Sequence, residues 1–228
     1  MNEVPAALAS SLVVRPVWRR FAPRFRELAI AFVQAGGFAA VVHSEDRVEA
    51  LFMVGSDGAL LPFAAWAMAS IEHAEFTFHG DGSAAGLAFA FLDTDRSWTI
   101  LDWCERDAVH PGPTRSMRLD CVACTACCQD ADVVLDAHDL ERFRSHGRGD
   151  LAEEGPVWRD AEGYLHLRFK AQRCEQLEPA GTCAIYALRP SSCRAFLPGS
   201  EPCLAAREDT LDVRDDTADA NGSEDGSE

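Results

Sequence analysis

Eight of the nine cysteines in this 228-residue chain lie between residues 121 and 203, and their spacing constrains the fold of that segment more than any other feature. Four of them fall in the run Cys121-Val122-Ala123-Cys124-Thr125-Ala126-Cys127-Cys128. Two residues between cysteines allow a tight turn to aim both sulfurs at one centre, and this spacing recurs in zinc and iron–sulfur sites.

The other four cysteines are spread more widely along the chain. The entropy of closing the loops between them grows slowly with loop length, so a bound metal can gather distant thiolates into one domain. These four residues are Cys174, Cys183, Cys193 and Cys203.

The start of the chain bears on the redox state of these thiols. Residues 1–20 lack the continuous apolar run of a secretory signal, and the run from Leu28 to Val33 is too short to span a bilayer. We therefore expect a cytoplasmic protein with no membrane partner. Thiols stay reduced in that compartment, so nine cysteines favour metal or redox chemistry over a disulfide framework.

The charge of the chain argues against nucleic acid as a partner. The formal net charge is -16, and no basic patch with interleaved aromatic residues is present. Such a chain repels phosphate backbones. Half of the charge lies in residues 208–228, where Arg214 is the only basic residue. We predict a disordered acidic tail over residues 206–228 because this composition cannot bury a core.

The first half of the chain has mixed hydrophobic periodicity. Apolar residues at helical spacing predict a helix from Val17 to Gln34, with Pro23 kinking it or marking its true start, and a second helix from Phe63 to His73. Strands are predicted at Arg47–Val54, Glu75–His79 and Leu87–Leu92. Together these elements predict an α+β domain with antiparallel pairing over residues 1–113.

The run His110-Pro111-Gly112-Pro113 ends regular structure and marks the predicted domain boundary. Beyond it we expect a cysteine-cluster metal-binding domain over residues 114–205, rich in loops, stapled by metal and containing short helices. Asp136 is the predicted N-cap of a helix that runs to about Ser145. The whole chain is thus assigned to the α+β class.

The pattern of the cysteine segment resembles the YkgJ-type family of cysteine-cluster proteins, described as zinc- or iron-chelating domains. The resemblance rests on the CxxCxxCC block, the run Cys183-Ala184-Ile185-Tyr186-Ala187-Leu188-Arg189-Pro190-Ser191-Ser192-Cys193-Arg194-Ala195-Phe196 and the flanking cysteines, from about Leu119 to Cys203. Thr125 departs from the pattern, because many members have glycine there.

The resemblance implies that eight cysteines are the metal ligands and that zinc or iron is the cofactor, with an iron–sulfur cluster as one form of the iron. The implied ligands are Cys121, Cys124, Cys127, Cys128, Cys174, Cys183, Cys193 and Cys203. Thiolate suits both metals, and eight thiolates fit two zinc sites as well as a cluster, so these alternatives stay open.

Two other functions stay open. The family includes, by similarity, flagellin lysine N-methylases, so the alternative is a protein-modifying enzyme that uses S-adenosylmethionine, although no glycine-rich strand-to-helix loop for the nucleotide is present. The third hypothesis is an interaction module whose zinc only staples the fold. The protein partner or substrate is not specified by the sequence.

Several neighbouring residues have predicted roles. Arg189 and Arg194 are expected to neutralise the thiolates, and Tyr186 and Phe196 to form dry walls around them. Cys104 lies outside both cysteine elements and is interpreted as a packed core thiol. His138 and His166 lie nearest the cluster in sequence and are reserve ligands only.

Overall fold

The computed structural model describes residues 11–44, 46–129, 133–153, 156–170 and 173–214, which fold as two compact units. The N-terminal unit contains Leu12–Arg118 and Gly199–Pro202, and the cysteine unit contains Leu119–Pro198 and Cys203–Val213. The two units divide between Arg118 and Leu119, since residues 114–118 continue as a strand of the N-terminal unit, and the domain boundary near residue 113 stays a prediction.

The N-terminal unit is built on a five-stranded sheet. The strands of the unit are β1 (Ser11–Pro16), β2 (Trp18–Phe21), β3 (Phe38–Ser44), β4 (Arg47–Met53), β5 (Thr77–Phe78), β6 (Leu87–Leu92) and β7 (Thr114–Leu119). The helices of the unit are α1 (Arg26–Gln34), α2 (Pro62–Ser70) and α3 (Thr94–Arg106). The sheet order is β2-β3-β4-β6-β5, with β2 parallel to β3 and the other pairs antiparallel, while β1 pairs with β7 in a separate two-stranded sheet.

Helices cover both faces of this sheet. Ile30 and Val33 of α1 pack on one face, and α2 and α3 pack on the other, around an aromatic cluster of Trp18, Phe38 and Phe52. Each large apolar side chain that is fully buried contributes about 1.5 to 3 kcal/mol. Both faces of strands β3 and β4 lie in the core, and the residues of these strands are accordingly mostly apolar.

The predicted helix from Val17 to Gln34 is wrong over its first half. Residues Trp18–Phe21 form β2, a turn of 3₁₀ helix follows at Pro23–Phe25, and only Arg26–Gln34 is α-helical. Val17 and Trp18 are both fully buried. Tertiary packing of this short strand thus overrides a helical spacing that extends across it by coincidence. Pro23 does mark the start of helical structure, as one of the two readings predicted.

The N-terminal unit contains a buried group of charged side chains. Arg15 and Arg106 lie against Asp107 at 3.4 and 3.0 Å, and both pair with Glu201. Trp18 donates its Nε1 hydrogen to Glu201 at 3.0 Å and its backbone N–H to Asp107 at 2.9 Å. Losing one partner from such a buried pair leaves an uncompensated charge, at a cost of about 3 to 5 kcal/mol.

The cysteine unit has short elements joined by loops. They are α4 (Cys121–Cys124), β8 (Val134–Leu135), α5 (Ala137–Ser145), β9 (Val157–Arg159), β10 (Leu165–Leu167), β11 (Phe169–Lys170), β12 (Arg173–Cys174), α6 (Ser191–Ala195) and α7 (Glu201–Leu211), whose first two residues belong to the N-terminal unit. Strands β8, β10 and β9 form an antiparallel sheet, and β11 pairs with β12. Its core contains Phe143, Leu151 and Leu167.

The α+β class is confirmed, with strands and helices in both units. Asp136 caps α5 as predicted. Its carboxylate accepts a hydrogen bond from the backbone N–H of Asp139 at 2.7 Å, and the carboxylate of Asp139 accepts one from the backbone N–H of Asp136 at 3.1 Å. Helix α7 continues to Leu211, so the start of the predicted tail at residue 206 is helical, while residues 215–228 lie outside the described residues. Within the described ranges, no helix is both long and apolar enough to cross a bilayer.

The buried carboxylate of Glu49, on β4, is bonded to Arg26 of α1. Glu49 is 3 % exposed and accepts hydrogen bonds from Arg26, the shorter at 2.7 Å, and it lies 3.1 Å from His43 Nε2. Burial acts to raise the pKa of Glu49, but the hydrogen bonds from Arg26 and His43 outweigh it and hold this pKa below its usual value. The folded state therefore gains stability from the ionised carboxylate.

We predict that Glu49→Gln lowers the free energy of unfolding at pH 7 by about 1 to 3 kcal/mol, since it removes hydrogen bonds to a charged group. A group with a lowered folded pKa contributes above its unfolded pKa, so the deficit should shrink as the pH falls below about 4. Urea unfolding of both proteins across pH measures this. Glu27→Gln, at an exposed position on α1, is the control, and a deficit that does not change with pH would contradict the assignment.

Candidate metal centre

The first cysteine pair sits on a capped turn of helix. Asp120 precedes α4, and its carboxylate accepts from the backbone N–H groups of Val122 and Ala123 at 3.1 and 3.0 Å. This cap fixes the start of a helix that is only four residues long. Cys121 and Cys124 are three residues apart on it, so their side chains lie on the same face.

Thr125 reverses the chain between α4 and the 3₁₀ turn Ala126–Cys128. Its φ and ψ angles are 49° and 7°, the left-handed region, and the side chain is 8 % exposed. A β-branched residue is unfavourable there, whereas glycine adopts this conformation readily. Thr125 thus holds a conformation that suits glycine better than threonine.

The second cysteine element is held by polar contacts to α5. Asp139 accepts from the backbone N–H and the hydroxyl of Ser191 at 2.8 and 3.0 Å, at the start of α6. Arg142 donates to the carbonyl oxygen of Arg189 at 3.0 Å. These bonds fix Arg189-Pro190-Ser191, and with it the start of the helix that carries Cys193.

Seven of the eight predicted ligands line one pocket, of about 650 Å³ including its open mouth. Apolar walls come from Val122, Tyr186, Phe196 and Pro198. The cysteines of the pocket are Cys121, Cys124, Cys127, Cys128, Cys183, Cys193 and Cys203. The eighth, Cys174, is buried in the core of the unit, in the apolar cluster against which Cys183 and Cys193 also pack.

The donor set matches a thiophilic metal. None of these eight cysteines forms a disulfide, and thiolate is a preferred ligand of zinc and of iron–sulfur clusters. Among the described residues, no three Cys, His, Asp or Glu side chains already surround a common point as ligands would. In domains of this kind, metal binding and folding are coupled, and the metal draws its ligands together.

The thiols raise one another's pKa. Burial, followed by the nearby Cys174 and Cys183 thiols, raises the pKa of Cys193 to about 12. Burial and then Cys127 and Cys124 raise the pKa of Cys121. Such thiols hold their protons until a cation replaces them, so metal binding at these residues releases protons.

Two arginines face the thiols, and sequence reasoning found only one of them. Arg189 lines the pocket and lies over the ring of Tyr186, with its Cζ 3.8 Å from the ring centre. Arg207, on α7, also lines the pocket and donates from Nη1 to the Sγ of Cys124 at 3.3 Å. Its position four residues after Cys203 on one helix was a sequence signal that went unused.

Arg194, the other arginine with a predicted role, contacts backbone. It donates to the carbonyl oxygens of Arg189 at 2.8 Å and Ala187 at 2.5 Å. Its described contacts therefore brace the loop that carries Arg189.

The remaining candidates lie elsewhere. Cys104 is 7 % exposed in the core of the N-terminal unit, where burial raises its pKa, which fits the interpretation as a packed thiol. His166 pairs with Asp160 at 2.8 Å and stacks on Trp158, and His138 is exposed on α5. Neither histidine lines the cysteine pocket.

Comparison with known families agrees with this site. Residues 120–215 match the family model CxxCxxCC, whose description is "Putative zinc- or iron-chelating domain". The match covers less than half of the chain, and it confirms the resemblance inferred from the cysteine pattern of that segment. Searches of curated proteins and of solved structures gave no match.

The strained turn gives a prediction for Thr125. A side-chain Cβ in the left-handed region costs about 1 to 2 kcal/mol. We expect Thr125→Gly to be more stable than Thr125→Ala by about 1 kcal/mol, because both lose the same hydroxyl and methyl groups but only alanine keeps the Cβ. Thermal and urea unfolding of the two variants measure the difference. Equal stability of the two would show that the turn relaxes without strain.

Proposed function

We propose that the cysteine unit binds zinc or iron through thiolates contributed by both of its cysteine elements. The proposed ligands are Cys121, Cys124, Cys127, Cys128, Cys174, Cys183, Cys193 and Cys203. The observation that carries the proposal is the assembly of seven of these thiols around one pocket from residues as much as 82 positions apart, Cys121 and Cys203. A packed core alone does not require so many polarizable sulfurs at one place.

The surrounding residues supply what a thiolate centre needs. Four thiolates around one zinc ion leave an excess of two negative charges, and the guanidinium groups of Arg189 and Arg207 lie where they offset such charge. Tyr186 and Phe196 supply apolar walls that limit the access of water. A bound zinc would crosslink the unit, whereas iron would add redox chemistry.

The proposal also concerns the cellular compartment and the choice between metal binding and methyl transfer. Free thiols in this number favour a reducing compartment such as the cytoplasm, where they stay available to metal. The description of the matched domain is metal chelation, without methyl transfer, so metal binding is the function that we propose.

We predict that protein purified anaerobically without chelator carries zinc or iron in at least stoichiometric amount. Elemental analysis gives the metal, while acid-labile sulfide and the visible spectrum distinguish a cluster from zinc. Cys124→Ser should lose metal, since a hydroxyl is a poor ligand and structural zinc contributes on the order of 10 kcal/mol to folding. Cys104→Ser is the control: it should keep its metal while losing about 1 to 3 kcal/mol of stability. Metal-free protein that is folded would refute the proposal.

A second prediction concerns Arg207. Groups that hydrogen-bond to metal ligands typically contribute 10- to 100-fold to metal affinity. Arg207→Gln should therefore lower the affinity for zinc by about that factor in a chelator competition. Arg148→Gln is the matched control, because Arg148 pairs with Asp150 at the surface, at 2.9 Å. Equal zinc affinity in the two variants would remove Arg207 from the centre.

A further inference from the structure

The number of thiols exceeds what one ordinary centre uses. A structural zinc ion takes four protein ligands, and a cubane iron–sulfur cluster is likewise held by four cysteines. The cysteine unit has eight, seven of them at one pocket and the eighth beside two of those seven. Their positions within the unit divide them into groups.

The first group is defined by helix α4 and helix α7. Cys121 and Cys124 share one face of α4. Arg207 on α7 donates to the Sγ of Cys124 at 3.3 Å, and Cys203 is one helical turn before Arg207, on the same face of α7. The face of α7 that meets Cys124 is therefore the face that carries Cys203, and these three thiols form one side of the pocket.

The second group is defined by the apolar core of the unit. Cys174 is buried in it on β12, and Cys183 and Cys193 pack against the same core cluster. The backbone of Cys183 is tied nearby, because it forms an antiparallel bridge with Leu177, three residues after Cys174. Cys174 thus lies near both Cys183 and Cys193, and the latter two line the pocket.

The adjacent residues Cys127 and Cys128 belong to neither group alone. They lie in a 3₁₀ turn, and their two thiols are hydrogen-bonded to each other. Both line the pocket, and Cys127 lies close enough to Cys121 of the first group and to Cys193 of the second to interact electrostatically with each. Each group lacks one thiolate for a set of four, and this pair can supply one to each.

We propose that the cysteine unit holds two metal centres of four thiolates each, with the pair Cys127 and Cys128 divided between them. The first centre takes Cys121, Cys124 and Cys203, and the second takes Cys174, Cys183 and Cys193. This inference rests on the proposed metal-binding function and adds the number of centres and the assignment of ligands. Arg207 then stands beside the first centre.

Native mass spectrometry of the full chain, reconstituted anaerobically with zinc alone, tests the division. The parent and Cys104→Ser should carry two zinc ions, whereas Cys203→Ser and Cys193→Ser should each carry one and the double variant none. Cys193 and Cys203 are both partly exposed, which makes them better choices for substitution than the buried Cys174. A parent with one zinc ion, or single variants that lose both, would overturn the division.

Thiol alkylation read out by peptide mass spectrometry identifies which centre is lost. In zinc-loaded Cys203→Ser, Cys121 and Cys124 should become reactive while Cys183 and Cys193 stay protected, and Cys193→Ser should give the reverse pattern. Uniform reactivity across the remaining cysteines would contradict two separate sets. A parent that binds no metal would instead refute the proposed function itself, so the two failures are distinguishable.

Discussion

The convergence of cysteine side chains on one pocket is the constraint on which the cysteine unit depends. Its helices and strands are short and its apolar core is modest, so under the proposed function a metal that joins the thiols would supply much of its order. Small domains with limited cores usually need such a staple. The hydrogen bonds of Asp139 and Arg142 to the loop before α6 fix the start of the helix that carries Cys193.

Charge is the second constraint on this site. Thiolates gathered in a partly buried pocket repel one another, and the chain as a whole is strongly acidic. Arg189 and Arg207 place positive charge at the pocket itself. The N-terminal unit handles buried charge in the same way, with Arg15 and Arg106 set against Asp107 and Glu201 out of contact with water.

Much of the fold could be predicted where the determining interactions are local. Strands β4 and β6 follow from their apolar runs and turn residues, and Asp136 identified α5 through its capping geometry. Helix α3 was missed, although Asp93 at its N-cap was a usable signal. Strand β2 was predicted as helix because the apolar residues around it also fit a helical spacing, and only its pairing with β3 and the burial of Trp18 in the aromatic cluster decide the matter.

The sequence by itself determined the CxxCxxCC pattern, which the family model matches at residues 120–215, because cysteine spacing within a turn is a local property. Tertiary structure alone decided which thiols face each other. It placed Cys174 in the core beside Cys183 and Cys193, and it brought Arg207 to Cys124 across 83 residues of sequence. Such long-range contacts depend on the packing of whole elements, which spacing along the chain does not specify.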